Sequence, residues 1–205
     1  MAATRAGCTT TKTVYRPGDS AHLVGGGPIA AFEAALCETM GMRYTVCLAN
    51  ATLGLMGTAM AVDLVGKEVV VPALAHPASV AGRLHVGATL RVADVEGDSL
   101  TLDLAVARRV VTAATAAVVA VDRFGSPSDT TGIRSMPDDH GLFYLADAAQ
   151  ALAATCDGVH ASASADALVL SCTTGKALDA GLGGAPPART AQKRGSAMAH
   201  AQEVP

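Results

Sequence analysis

The sequence has no tryptophan and only three tyrosines and three phenylalanines in 205 residues, so aromatic side chains cannot dominate its interior. Alanine, valine, leucine and methionine must fill the core instead, and small side chains stabilise it through many weak contacts. Charge is scarce too: 15 Lys and Arg stand against 18 Asp and Glu, a net charge of −3. That balance gives no electrostatic basis for binding nucleic acid or an anionic membrane, which leaves a small molecule or a protein as partner. The cysteines, Cys8, Cys37, Cys47, Cys156 and Cys172, are odd in number and scattered, with no C-x-x-C pair for zinc or a redox dithiol. Free thiols in a reducing compartment fit better than a disulfide framework, and no metal site is expected. The longest apolar run, near Val110 to Val121, is interrupted by threonine and too short to span a bilayer, and the opening residues have no apolar signal core. A cytoplasmic protein is expected.

What the sequence does have is alternation of apolar patterns. Pro28 opens a helical stretch with Ile29, Phe32, Leu36 and Met40 on one face and Gly41 as its stop. A strand-like run, Tyr44 to Ala49, leads to the turn Asn50-Ala51-Thr52 and a second helix with Leu55, Met56, Ala59 and Met60 as its stripe, ending near Gly66. Strands are expected at Val69 to Val71, Thr89 to Ala93, Ala116 to Val121, Leu142 to Ala146 and Ala167 to Leu170. Helices are expected between them, near Ala78 to Val86, Leu104 to Val110 and Asp129 to His140. Such alternation predicts an α/β domain, a mainly parallel sheet with helices on both faces. It occupies residues 25–185, after a mixed N-terminal segment 1–24 and before a Pro-Pro, basic and Ala-rich tail 186–205 with no expected regular structure.

Two familiar motifs fail on context. Gly25, Gly27 and Ala30 fit G-x-G-x-x-A before a helix, but the preceding strand is very short and the next strand-like run ends in Asn50, not in an acidic residue for a ribose. Thr174-Gly175-Lys176 has the end of a P-loop, yet Leu170 stands where its first glycine belongs and Ala177 replaces the magnesium-binding hydroxyl.

A third set of residues does fit a chemistry. Pyridoxal 5'-phosphate (PLP) needs a lysine for its Schiff base and an acid to keep the pyridine nitrogen protonated. It also needs a phosphate cup of amides and hydroxyls at a helix start, and a flat group against the ring. Asp147 follows the strand Leu142 to Ala146, Asn50-Ala51-Thr52 lies at a strand-to-helix junction, and Lys176 and His76 lie in expected loops. Each also has an ordinary structural reading: a helix cap for Asp147 and Asn50, a surface lysine, a loop histidine.

Their order resembles the DegT/DnrJ/StrS family of PLP-dependent sugar aminotransferases from about Gly26 to Gly184. G-G-P-I-A-A-F-E, Gly26 to Glu33, is similar to the opening of that family's large domain. N-A-T-L-G-L, Asn50 to Leu55, resembles its phosphate-binding turn, and V-V-V-P-A-L-A-H-P-A-S, Val69 to Ser79, the strand and loop carrying the ring-stacking side chain. Arg123-Phe124-Gly125 resembles its aromatic-glycine strand end. Asp147-Ala148-Ala149-Gln150-Ala151 is similar to its D-A-A-Q/H-A motif, and Ser171 to Lys176 fits its S-F-x-x-x-K frame, with Asp147 and Lys176 29 residues apart. Gly181, Gly183 and Gly184 fall at its glycine turn.

The resemblance implies a three-layer α/β/α large domain of a fold-type-I PLP aminotransferase. It implies Lys176 as the catalytic Schiff-base lysine and Asn50, Ala51, Thr52 and Ser171 around the phosphate. His76 would lie on the ring, Asp147 at the pyridine nitrogen and Gln150 on the ring-oxygen side. It implies amino transfer from an amino acid to a keto-sugar, nucleotide-linked by analogy, in nucleotide-sugar biosynthesis, and lysine at 176 favours this over the family's dehydratase variants. Ala51, Gly175, Ala177 and Leu182 depart from the common residues, and the family's remaining large-domain segment and small C-terminal domain have no counterpart here. A C-terminally truncated member is therefore expected, its PLP-binding large domain incomplete. It would work as a homodimer or with a full-length relative, or bind PLP or that relative without turnover.

Overall fold

The computed structural model describes residues 27–181 and 183–189. The expectations for segment 1–24, for Gly25, Gly26 and Leu182, and for the tail from residue 190 on lie outside them.

Helix α1 (Gly27–Met40) ends at Gly41, whose φ of 62° lets the chain turn back so that the Met42 amide reaches the Cys37 carbonyl at 3.0 Å. Helix α2 (Ala51–Ala61) is capped by Asn50, whose side chain accepts from the Leu53 amide. The alternating part follows: β1 (Glu68–Pro72), α3 (Pro77–His85), β2 (Thr89–Ala93), α4 (Leu104–Val110), β3 (Thr115–Val121), α5 (Thr130–His140), β4 (Phe143–Asp147), a hairpin of β5 (Thr155–Cys156) and β6 (Val159–His160), β7 (Ala167–Ser171) and β8 (Gly184–Ala185). The main sheet runs β2-β1-β3-β4-β7-β8, parallel throughout except where β8 returns antiparallel to β7.

The core follows from the period of two along each strand. Val69, Val71, Ala117, Val119, Val121, Leu145 and Val169 point to one face, where α2 supplies Ala51, Leu55 and Ala59, and Ala78 and Val80 of α3 pack alongside. Val70, Val118, Ala120, Tyr144, Ala146, Leu168 and Leu170 point to the other, against Leu36 and Met40 of α1, Ala107 of α4 and Ile133 and Met136 of α5. This is the three-layer α/β/α arrangement expected from the alternation. The stripe of α2 is rotated from the expected one: Gly54 and Thr58 are buried while Met56 and Met60 are half-buried. A Cβ at Gly54 would lie 3.2 Å from Val169 Cγ1, so the helix seats on the sheet through its small residues.

Three stretches differ from expectation. Tyr44 to Ala49 is not a strand but touches the returning chain at single bridges, Tyr44 to Ala188 and Leu48 to Gly184. Pro186 and Pro187 lie between those two contacts, and with no amide hydrogen they cannot continue a ladder. The tail begins later than Pro186: the Pro187 carbonyl accepts from the Leu168 amide at 3.0 Å, and Arg189 Nε donates to the Ala165 carbonyl at 3.0 Å. The β5–β6 hairpin was not expected, although Asp157-Gly158, with φ of 51° and 79°, is a favoured two-residue turn.

Two tests follow from this packing. A Cβ at Gly184 would come within 2.3 Å of the Ala51 nitrogen and the Asn50 carbonyl carbon, backbone that has nowhere to move. Gly184→Ala should cost roughly 1–3 kcal/mol or more in chemical unfolding; unchanged stability would show that β8 does not press on the start of α2. His160 is buried, its Nε2 against the Ala151 carbonyl at 3.0 Å and its Nδ1 accepting the Ser162 amide at 3.2 Å. This arrangement leaves no room for a proton on Nδ1, and burial holds the ring's pKa below its ordinary 6.5. The folded state therefore binds fewer protons than the unfolded state below 6.5. Thermal stability should be complete above that pH and decline as pH falls through it, and His160→Gln should flatten the decline in that window.

Candidate active site

In an open parallel sheet, ligands bind beyond the carboxyl ends of the strands. Here the ends of β3, β4 and β7 and the starts of α2 and α3 enclose one cleft of about 210 Å³. Its lining includes Asn50, Ala51, Thr52, His76, Asp147, Gln150, Ser171 and Lys176, every site residue expected from the sequence. Ser79, Asp122, Arg123 and Thr173 join them.

Asp147 closes β4 and is only 4% exposed. Its Oδ1 accepts from the Ala149 amide at 3.2 Å and its Oδ2 from Ser79 Oγ at 2.5 Å. It is therefore not the cap of a regular helix but a buried carboxylate held by two donors. One turn further along α3, the fully buried Arg83 donates from Nη1 to the Ser79 carbonyl. Burial pulls the Arg83 pKa down to about 10, with the Asp147 charge acting in the opposite direction, so the guanidinium stays cationic at neutral pH.

The start of α2 forms one wall of the cleft. Asn50 Oδ1 takes the Leu53 amide at 2.9 Å, which leaves the amides of Ala51 and Thr52 with no acceptor inside the helix. The hydroxyls of Ser171 and Thr173 lie 3.0 Å apart beside them. His76 is at once the cap of α3, accepting the Ala78 amide on Nδ1 at 3.1 Å, and an exposed wall of the cleft. Gln150 Oε1 accepts the Phe124 amide at 2.8 Å, tying the loop after β4 to the one after β3.

Lys176 follows a tight turn in which its own amide donates to the Thr173 carbonyl at 3.1 Å. Gly175 sits there with φ of 85°, a conformation that glycine adopts without strain. Asp179 fastens the loop, its carboxylate accepting from the Gly181 amide at 2.9 Å and the Gly175 amide at 3.2 Å. Among the described residues Lys176 has no ion pair or side-chain hydrogen bond, and no His, Cys, Asp and Glu cluster could hold a metal ion. The chain's described helices include none long and apolar enough to cross a membrane.

Ser79 and Arg83 escaped the sequence reading because Ser79 lies 68 residues from the carboxylate it touches. Asp122 was not singled out because the Arg123-Phe124-Gly125 resemblance begins one residue after it. Its Oδ1 accepts the Ser128 amide at 3.0 Å and its Oδ2 the Ser162 hydroxyl, so it braces the floor below the cleft.

A parallel sheet with this strand order and a cleft of this make-up define the large domain of a fold-type-I aminotransferase. The solved structure of DesI with its TDP-sugar product aligns at a TM-score of 0.81 and 36% identity, covering 88% of this chain and 46% of DesI. An aminotransferase from Psychrobacter cryohalolentis aligns at 0.80 and 28%, covering 83% and 44%. The chain belongs to the DegT/DnrJ/EryC1/StrS aminotransferase family, whose model matches residues 9–189. Among curated proteins it is 29% identical over 154 residues to GDP-perosamine synthase of Vibrio cholerae, covering 75% of this chain and 42% of that protein. It is 35% identical over 162 residues to L-glutamine:2-deoxy-scyllo-inosose aminotransferase of Streptomyces paromomycinus, covering 78% and 38%. The chain thus spans less than half the length of these relatives.

The Asp179 anchor gives a test of the lysine loop. The two amides, Gly181 first, hold its carboxyl below the ordinary 3.8. The folded loop favours the ionised form, so its contribution is complete above 3.8 and is lost as pH falls below that value. Asp179→Asn should speed amide hydrogen exchange over residues 173–181 at neutral pH, an effect the native chain shows only on acidification. Equal protection in both would mean that the loop is held by something else.

Proposed function

We propose that this chain binds PLP in the cleft, with Lys176 as its Schiff-base lysine. It would transfer an amino group from an amino acid to a keto-sugar, nucleotide-linked as in the GDP- and TDP-sugars named for its relatives. The observation that supports this most is convergence: residues scattered from Asn50 to Lys176, picked out by type and by resemblance to the family's motifs, line a single cleft.

The residues fit the cofactor. The first-turn amides of Ala51 and Thr52, with no acceptor inside the helix, and the Ser171 and Thr173 hydroxyls suit a phosphate dianion. Asp147, buried and ionisable, would hold a proton on the ring nitrogen, and His76 and Gln150 would contact the ring face and its oxygen side. When bound, PLP supplies an electron sink for the bond broken at the substrate carbon. Once released, the Lys176 amine would carry a proton to and from that carbon, which requires a neutral Nζ close to the substrate.

A second reading is motivated by the span relative to the curated proteins, 42% and 38% of their length. In it the chain holds the cofactor and a full-length relative, as a partner, completes the substrate site. Both readings require the Lys176 adduct. PLP titration followed by borohydride reduction should label Lys176 alone, identified by peptide mass mapping, and Lys176→Ala should abolish the label. Labelling elsewhere, or an unchanged label in the variant, overturns the cofactor reading. Turnover of a nucleotide keto-sugar with glutamate by the chain alone supports the first reading, and turnover only with the relative present supports the second.

A further inference from the structure

Beside Lys176 the cleft holds a second cation that the proposed cofactor chemistry does not use. Arg123 follows β3, is half-exposed, and lines the cleft with His76, Gln150 and Lys176. Its Nε is buried without a hydrogen-bond partner, and among the described residues no carboxylate forms an ion pair with it. The two carboxylates nearest in the lining are already engaged: Asp122 with the Ser128 amide and the Ser162 hydroxyl, Asp147 with Ser79 and the Ala149 amide. A guanidinium whose donors are left over in a cleft calls for an oxyanion with a planar pair of acceptors.

The side chain is also held in place. Its guanidinium carbon lies 5.2 Å from the centre of the Phe124 ring, within cation–π range. Phe124 itself is 74% exposed and has a φ of 53°, a backbone conformation costly for an aromatic residue, kept by the bond from its amide to Gln150. A strained backbone that holds an exposed ring and an unpaired arginine at the mouth of a cleft has no role in packing the core.

From this arrangement we infer that Arg123, steadied by Phe124, is the anchor for the oxyanion of a substrate that enters beside Lys176. The inference rests on the cofactor reading for the substrate's place in the cleft. The oxyanion is the carboxylate of an amino donor or the diphosphate of a nucleotide-linked acceptor. One guanidinium of this geometry recognises either, and the experiment separates them.

The full chain, saturated with pyridoxamine 5'-phosphate so that the α2 anion site is filled without reaction, is titrated calorimetrically with L-glutamate and, separately, with GDP and TDP. Arg123→Gln should weaken binding about tenfold or more in one arm, the loss expected when a charge-assisted bond is removed. Arg123→Lys, which keeps the charge but not the fork, should fall between. Loss in the glutamate arm identifies the donor carboxylate, and loss in the nucleotide arm the acceptor diphosphate. Ser171→Ala, by contrast, should weaken pyridoxamine phosphate and leave the Arg123-dependent ligand unaffected. Equal binding by native chain and Arg123→Gln in both arms, or no binding by the native chain, overturns the inference. If pyridoxamine phosphate itself fails to bind while Arg123-dependent binding persists in its absence, the cofactor reading falls and the anion anchor stands.

Discussion

The structure is organised around a carboxylate buried at the end of a central strand. An ionised Asp147 at 4% exposure would be costly on its own, because burial removes the water that stabilises its charge. The fold meets that cost from separate parts of the chain: the Ala149 amide just after β4, the Ser79 hydroxyl from the first turn of α3, and the buried Arg83 guanidinium behind it. The last two require α3 to lie close over the sheet, and Gly82 allows it. A Cβ there would approach the Met56 Cα to 2.9 Å, so α2 and α3 pack together through glycine. The position of the α2 start, with the amides of Ala51 and Thr52 on the cleft wall, is thereby linked to the same carboxylate.

Much of this architecture was legible in the sequence because a buried parallel strand leaves a strong mark. Val69 to Val71, Ala116 to Val121 and Ala167 to Leu170 are short apolar runs bounded by polar residues, and the helices between them carry their own periodicity. The expected Thr89 to Ala93 strand and Leu104 to Val110 helix coincide with the observed elements. Segments that depend on another part of the chain for their conformation were harder to read. Tyr44 to Ala49 has the composition of a strand, but its pairing partner contains two prolines 140 residues away in sequence, and nothing local in Tyr44 to Ala49 reveals that.

The site divides along the same line. Lys176, Asp147 and Asn50 to Thr52 could be found because their residue types suit one chemistry and their order resembles the family's motifs. Ser79 and Arg83 could not, because on α3 they read as ordinary helical residues at a spacing of four. Only the crossing of α3 over β4 gives them a role. Asp122 was passed over and Arg123 was read only as part of the Arg123-Phe124-Gly125 strand end; their division of labour, Asp122 turned to the floor and Arg123 to the cleft, is settled by Ser128 and Ser162.

The structure also changes how the ordinary and functional readings of single residues relate. Asn50 is a helix cap that takes the Leu53 amide on its side chain, and with Ala51 and Thr52 it lines the cleft. His76 is a helix cap, and that bond fixes Nδ1 as an acceptor and orients the ring that forms one wall. In a parallel sheet the residue that ends a strand or begins the next helix is already at the edge where ligands bind, so capping and binding draw on the same position. A cap in such a place is the means by which the backbone donors are aimed. The structural reading of Asn50 and His76 is therefore the first step of the functional one rather than its competitor.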